Sequence, residues 1–233
     1  MNVRLLAPAL FLLALHPPQS HGQNVSVDEN AFRIYVGGEV IGREEFSIRQ
    51  IGPGGQQRII LRGSVELNLP EGRINLAPAM DVQGRTLAVS DYQIKVSGTE
   101  TTDIFVSVSG DRYLARVVSS SGEQLREFRA GPGSVLLDEG VVHHHYLLNS
   151  FLDEASAVSL TVLTPRAGQQ QRMTLSLVGE EEIRVGGILV PDARRFHMDG
   201  GDHPRDIWFD SRGRVLRLEI PSKRLVAERE TLT

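Results

Sequence analysis

Cysteine is absent from the 233-residue chain. There is therefore no disulfide framework, no thiolate ligand for zinc or iron–sulfur, and no N-terminal cysteine to carry a lipid anchor. Also missing are a Gly-x-Ser-x-Gly nucleophile elbow, a phosphate-binding Gly-x-x-x-x-Gly-Lys loop and a His-Glu-x-x-His metal helix. No basic tract occurs, and the net charge is −4 at pH 7 with histidine neutral. That balance argues against nucleic acid as a partner. The apolar run from Leu5 to Leu15 is shorter than the roughly 20 residues needed to span a bilayer. It follows Arg4 and precedes the small residues Ser20 and Gly22, so residues 1–22 read as a secretory signal peptide rather than a transmembrane anchor. The expectation is a protein exported to the periplasm or the extracellular space. The Asn24-Val25-Ser26 sequon sits at the start of the mature chain, where it carries little weight.

What remains, residues 23–233, reads as a single domain. Turn signals recur every eight to twelve residues or so, the spacing of a sandwich, barrel or large antiparallel sheet. Phe32, Ile34 and Val36 alternate before Gly37-Gly38, and Val40, Phe46 and Ile48 alternate after it. Ile59, Leu61, Val65, Leu67 and Leu69 share one face of the clearest strand. Further strands read as 86–96, 103–109, 113–118, 124–130, 158–163, 172–178, 181–185, 188–190 and 193–198. Asp206 to Pro221 reads as a hairpin turning at Asp210-Ser211-Arg212-Gly213, with Leu216, Leu218 and Ile220 on one face. Leu225 to Arg229 reads as a last edge strand.

One segment breaks the two-residue period. Between Asp138 and Ala155, residues Val141, Leu147, Leu148, Phe151 and Leu152 gather on one side of a helical wheel, with His143, Ser150, Asp153 and Glu154 opposite. The expected architecture is all-β and mainly antiparallel: a large curved sheet or half-barrel wrapped around one amphipathic helix at about residues 140–154. An apolar groove between sheet and helix would follow. Gly131-Pro132-Gly133 is the best candidate for an internal boundary, but the apolar face of the helix after it must be covered.

The C-terminal third resembles a group of uncharacterised bacterial exported proteins known only as domains of unknown function. The resemblance rests on Val185-Gly186-Gly187, Arg194-Arg195-Phe196, Ile207-Trp208-Phe209-Asp210 and Gly213-Arg214-Val215-Leu216-Arg217-Leu218. It implies the curved antiparallel sheet of lipoprotein-carrier-like and glycolipid-binding-like proteins, together with an envelope location. It carries no catalytic residues that can be placed on this chain.

Four features could carry chemistry. The run His143-His144-His145 cannot converge on one metal ion, because successive residues point apart on a helix or a strand. His144, on the apolar side of the wheel, is either a core imidazole bonded to a backbone carbonyl or a polar group orienting a ligand head. The cluster His197, Asp199, Asp202, His203 and Asp206 lacks the calcium-loop register and reads as turn chemistry, with Arg205 placed to neutralise the carboxylates. Glu44 falls on an inward face and needs a partner, or a bulge at Gly42 that turns it outward. Trp208, opposite Ile207 and Phe209, either packs under the helix or lines a sugar or lipid site.

Three functions compete. The first is a non-enzymatic binding or carrier protein for a lipid, glycolipid or other amphiphilic envelope component, with His144, Tyr146, Leu148 and Trp208 near the ligand. The second is an envelope scaffold that pairs with another protein through the Leu225–Arg229 edge. The third is a metal-dependent enzyme using the 197–206 loop. The leading reading assigns no catalytic residue, cofactor or metal.

Overall fold

The computed structural model describes residues 24–53, 57–84, 86–153 and 157–232, so the proposed signal peptide lies outside the described residues. Fifteen strands form one sheet: β1 Asn24–Val36, β2 Glu39–Ile51, β3 Arg58–Leu69, β4 Gly72–Gln83, β5 Val89–Gly98, β6 Thr102–Ser109, β7 Arg112–Ser119, β8 Gly122–Arg129, β9 Ser134–Leu136, β10 Ala157–Thr164, β11 Gln169–Val185, β12 Ile188–Asp199, β13 Arg205–Phe209, β14 Val215–Ile220 and β15 Leu225–Arg229. Their spatial order is β8-β7-β6-β5-β4-β3-β2-β1-β15-β14-β13-β12-β11-β10-β9. Every pairing is antiparallel except β9 with β10. The sheet curls into a nearly closed barrel.

This order puts the two ends of the described chain at the centre of the sheet and its midpoint at the seam. β1 pairs with β15 in register from Phe32↔Arg229 to Val36↔Leu225, and β15 pairs with β14 on its other side. The last strand is therefore interior, which corrects the expectation of an exposed Leu225–Arg229 edge. With both rows of backbone groups already paired, this strand has nothing to offer a partner's strand. The sheet's edges are instead β8 and β9, joined through Gly131-Pro132-Gly133, so that stretch crosses the seam and divides no domains. Gln170 on β11 clips the seam. Its side chain accepts from the Arg129 backbone N–H at 3.1 Å and donates to the Arg129 carbonyl at 2.6 Å.

The two-residue period holds where the ladders are regular and slips at bulges. On β3, Ile59, Leu61, Val65 and Leu67 all point into the core. On β2, Tyr35 pairs with Val40 and Ile34 with Gly42, leaving Ile41 as an extra residue. This bulge turns Val40 outward to 60% exposure while Glu44, Phe46 and Ile48 stay buried. A bulge does occur beside Gly42, but it moves Val40 and not Glu44. In the β13–β14 hairpin, Trp208 pairs with Arg217 and Phe209 with Val215, so Leu216 is the extra residue. Val215 therefore joins Leu218 and Ile220 in the barrel core, and Leu216 faces outward. Gly213, at φ 75°, closes the turn, and the Asp210 carboxylate accepts the backbone N–H groups of Arg212 and Arg214.

The helical segment also departs from expectation. It is a 3₁₀-helix, His143–Phe151, and its first turn is bounded by the His145 N–H on the Val142 carbonyl at 3.0 Å. His143, His144, His145, Leu147 and Leu148 are all buried. This corrects the reading of a solvated His143 on an amphipathic helix. The first half of the segment runs inside the barrel and is buried on every side, while Ser150 near its end is exposed and Tyr146, Asn149 and Phe151 are partly buried. Its far end docks on the β13–β14 turn, where the Asn149 side-chain amide donates to the Gly213 carbonyl at 2.8 Å. We call this segment the plug.

Most of the core lies between plug and sheet, with Phe32, Leu61, Leu76, Ile94, Leu136, Leu147, Leu148 and Phe209 among its most deeply buried side chains. A second, smaller cluster lies on the outer face, where Ile183, Val185, Val190 and Ala193 of the long β11–β12 hairpin meet Trp208 and Leu216.

Candidate functional site

The plug enters the barrel along the inner face of β2. The Glu44 carboxylate accepts the backbone N–H of Val142 at 2.6 Å and that of His143 at 2.9 Å. These are two donors that the first turn of a helix leaves unpaired. It also takes Nδ1–H of His143 at 2.5 Å. Glu44 and His143 are 0% and 1% exposed. His143 stacks on Phe46 with ring centroids 5.6 Å apart. Its other edge lies against Gly63, where a Cβ would come within 2.7 Å of the imidazole Cε1. Gly63 thus clears the space that the ring fills.

The three histidines point to three different walls. His143 goes to β2. His144 sits edge-on to Tyr92 of β5, and its Nδ1 accepts the Asp138 N–H at 3.3 Å, leaving the proton on Nε2. His145 donates from Nδ1 to the Val142 carbonyl at 2.8 Å and accepts from the Arg205 guanidinium at 3.5 Å through Nε2. Burial holds the His144 imidazolium well below the usual range, helped by the neighbouring histidines. Burial, with Arg205 nearby, pushes His145 down to about 3. Asp138 is buried too. It accepts the Tyr92 hydroxyl at 2.7 Å and the Arg166 N–H at 3.0 Å, yet burial still raises its pKa.

Among the described residues, no group of three or more His, Asp or Glu side chains is arranged to hold a metal ion. The 197–206 cluster disperses. His197 donates to Asp206 at 2.8 Å, Arg195 donates to Asp206 at 3.2 Å, Asp202 accepts from Gln171, and His203 meets Ser222. Arg205 does not neutralise these carboxylates as the sequence suggested; Arg195 pairs with Asp206 and Arg205 turns toward the plug.

The plug leaves a cavity at each mouth of the barrel. The larger, about 460 Å³, is framed by the ends of five hairpins: β1–β2, β3–β4, β10–β11, β12–β13 and β14–β15. Its wall is aliphatic, with Val36, Ile41, Leu69, Ile74, Ile220 and Leu225 prominent. The same cavity is also lined by polar groups: Asp138, Glu139, His145, Arg166, His203, Arg205 and Lys223. Glu139 is paired with Lys223, and Arg166 with Glu100 at 2.9 Å. The opposite mouth holds about 310 Å³ lined by Asp28, Tyr146, Arg212 and Arg214 among others. There Asp28 is bound by the buried guanidinium of Arg229, which also lies over the Phe46 ring at 5.7 Å.

The four ligand residues expected from sequence do not come together. His144 and Leu148 are each 0% exposed inside the plug, and Tyr146 lines the smaller mouth. Trp208 lies on the outer face, not under the helix, between the guanidinium groups of Arg195 at 5.2 Å and Arg217 at 5.6 Å, its indole N–H on Glu181. Sequence reading missed Arg166 and Lys223 altogether. They stand at hairpin turns remote from one another along the chain, and no local spacing signals their approach.

Neither the family models nor the curated proteins compared with this chain include a match. Among solved structures, the crystal structure of a β-barrel-like protein of a domain of unknown function, DUF1849, from Brucella abortus superposes with a TM-score of 0.58 at 6% identity, covering 88% of this chain and 95% of that one. At that identity the likeness is one of fold: a β-barrel-like domain built on a curved sheet.

Proposed function

We propose that this is an exported, non-enzymatic binding or carrier protein for a lipid-like or glycolipid-like component of the cell envelope, held in the larger mouth of the barrel. The observation that supports it is the cavity itself. A space of about 460 Å³ falls within the range of roughly 300–1,000 Å³ for small-molecule sites, and its lining combines aliphatic side chains with charged groups. A ligand with an apolar chain and a polar head matches that combination, since each part gains a complementary surface. The role resembles that of lipoprotein carriers, whose curved sheet the sequence resemblance implied. The Glu44–His143 pair fits a structural task better than a catalytic one, because it is sealed from the cavity and already saturated by the plug's own N–H groups.

Binding of a solvatochromic naphthylamine probe, and its displacement by a dodecyl-chain detergent, tests the reading. Leu69 and Ile74 are only partly buried, so a charge there alters the wall without entering the deep core. Leu69→Glu is expected to weaken probe binding at least about tenfold, equivalent to about 1.4 kcal/mol, with little change in thermal stability. Unchanged affinity in both Leu69→Glu and Ile74→Glu would remove the site from this cavity.

A further inference from the structure

We infer that the ligand of the larger mouth is a single-chain amphiphile with an anionic head, a carboxylate or a phosphate, and that Arg205 is the residue that recognises the head. This rests on the amphiphile reading above and adds the chemical class of its polar end.

The case starts from how the rim's charges are paired. Lys223 is paired with Glu139, and Arg166 binds Glu100 and the Glu139 carbonyl. Arg205 lines the same cavity and, among the described residues, has no carboxylate within ion-pair distance. Its two hydrogen bonds run to neutral acceptors and are long: Nε to the His203 carbonyl at 3.3 Å and Nη1 to His145 Nε2 at 3.5 Å. His145 is committed as an acceptor because its Nδ1–H is already given to Val142, so it orients the guanidinium without cancelling its charge. Burial lowers the pKa of Arg205, and Glu139 opposes that only at a distance.

A guanidinium partly withdrawn from water and left without an anion is costly. The fold accepts that cost at a cavity wall, where an incoming oxyanion can complete the pair. Arginine presents a planar fork of donors suited to two-point contact with a carboxylate or a phosphate, and such charge-assisted bonds are about twice as strong as neutral ones. In the same cavity, Val36, Leu69, Ile74 and Leu225 provide the surface for the chain. A volume of about 460 Å³ is in the lower half of the usual range, which suits one alkyl chain and disfavours a two-chain lipid.

The test is isothermal titration of the full mature protein at about 0.15 M salt, where long-range steering is screened. Four probes share a twelve-carbon chain: dodecanoate, dodecyl phosphate, monododecanoylglycerol and dodecyltrimethylammonium. Dodecanoate and dodecyl phosphate are each expected to bind at least about tenfold more tightly than the neutral ester, with the cation weakest. Their order relative to each other tells whether the natural head is a carboxylate or a phosphate. Arg205→Gln should abolish the preference, so that dodecanoate and dodecyl phosphate bind no more tightly than monododecanoylglycerol. Arg205→Lys should restore only part of it, because the charge returns without the fork.

Equal binding of the neutral and anionic probes to the wild-type protein would overturn the assignment of the head and leave the amphiphile reading intact. Binding of none of the four would remove both. Inorganic phosphate alone binding as tightly as dodecyl phosphate would also overturn the inference, since the chain would then contribute nothing. The wild-type probe series decides the question even if Arg205→Gln does not fold.

Discussion

Glu44→Leu is expected to destabilise the protein by about 4 kcal/mol, measured as a fall in the urea midpoint with an unchanged m-value. The loss comes from three donors at once. The carboxylate holds the N–H groups of Val142 and His143 and the His143 imidazole, all inside the barrel. Leucine removes every acceptor, and none of these donors can reach water without the plug being expelled. Glu44→Gln keeps the shape and one oxygen, but its amide nitrogen must face at least one of the same donors. About 2 kcal/mol is expected for it. A loss below about 1 kcal/mol in Glu44→Leu would mean that the plug is anchored elsewhere. In that case the attribution of its position to β2 fails.

Acidification is expected to have an effect of similar size. His144 and His145 stay neutral in the folded chain well below the ordinary histidine pKa of 6.5, His145 down to about 3. As the pH falls below about 6.5, the unfolded chain takes up these two protons and the folded chain does not. The stability these groups contribute is complete above that pH and is lost as the pH falls. The slope is up to about 1.4 kcal/mol per pH unit for each histidine, or roughly 2.7 for both. Asp138, packed against the same plug, has the opposite sign: its raised pKa makes the folded chain bind a proton more tightly, which offsets part of the loss. Asp206 and Glu139 are lowered, chiefly through His197 and Arg195 for the one and Lys223 for the other, and they add to the loss only below about pH 4. The other ionisable groups facing the histidines are Glu44, His143, Tyr92 and Arg205, and the last three give no carboxylate that could stabilise an added proton. Urea midpoints at pH 7.5, 6.5 and 5.5 should therefore fall stepwise, and His144→Phe should roughly halve the slope whatever it does to absolute stability. A flat profile across that range would show that the imidazoles gain protons in the folded state, which contradicts their burial.

Reading from sequence succeeded wherever two-residue alternation was unbroken. The β3 pattern from Ile59 to Leu67, the Gly-Gly turn between β1 and β2, and the β13–β14 hairpin around Gly213 all stand in the structure. It failed at bulges, where one additional residue reverses every assignment beyond it. Val40 and Leu216 were both placed on the inner face, and both are outside. It failed again at the plug. Ser150 and Asp153 are exposed as the helical wheel expects, but the first turn lies inside the barrel, where no side is wet. Leu147 and Leu148 belonged to the expected apolar face, but His143 is buried as well, satisfied by a glutamate 99 positions away.

The chain's own chemistry determined that this is a cysteine-free, strand-dominated protein with a helical segment after residue 140, because local period and turn residues act over a few positions. Only the tertiary structure decided the rest. That Leu225–Arg229 lies in the middle of the sheet follows from its pairing with β1, nearly 200 positions earlier. Gln170 reaches β8 across the seam from β11, 41 positions along the chain from its partner Arg129. The cavity exists because five hairpin ends meet at one mouth, bringing Arg166, Arg205 and Lys223 to a shared rim. Strand order and barrel curvature are set by long-range pairing, and the positions of these charges in the sequence carry no trace of it.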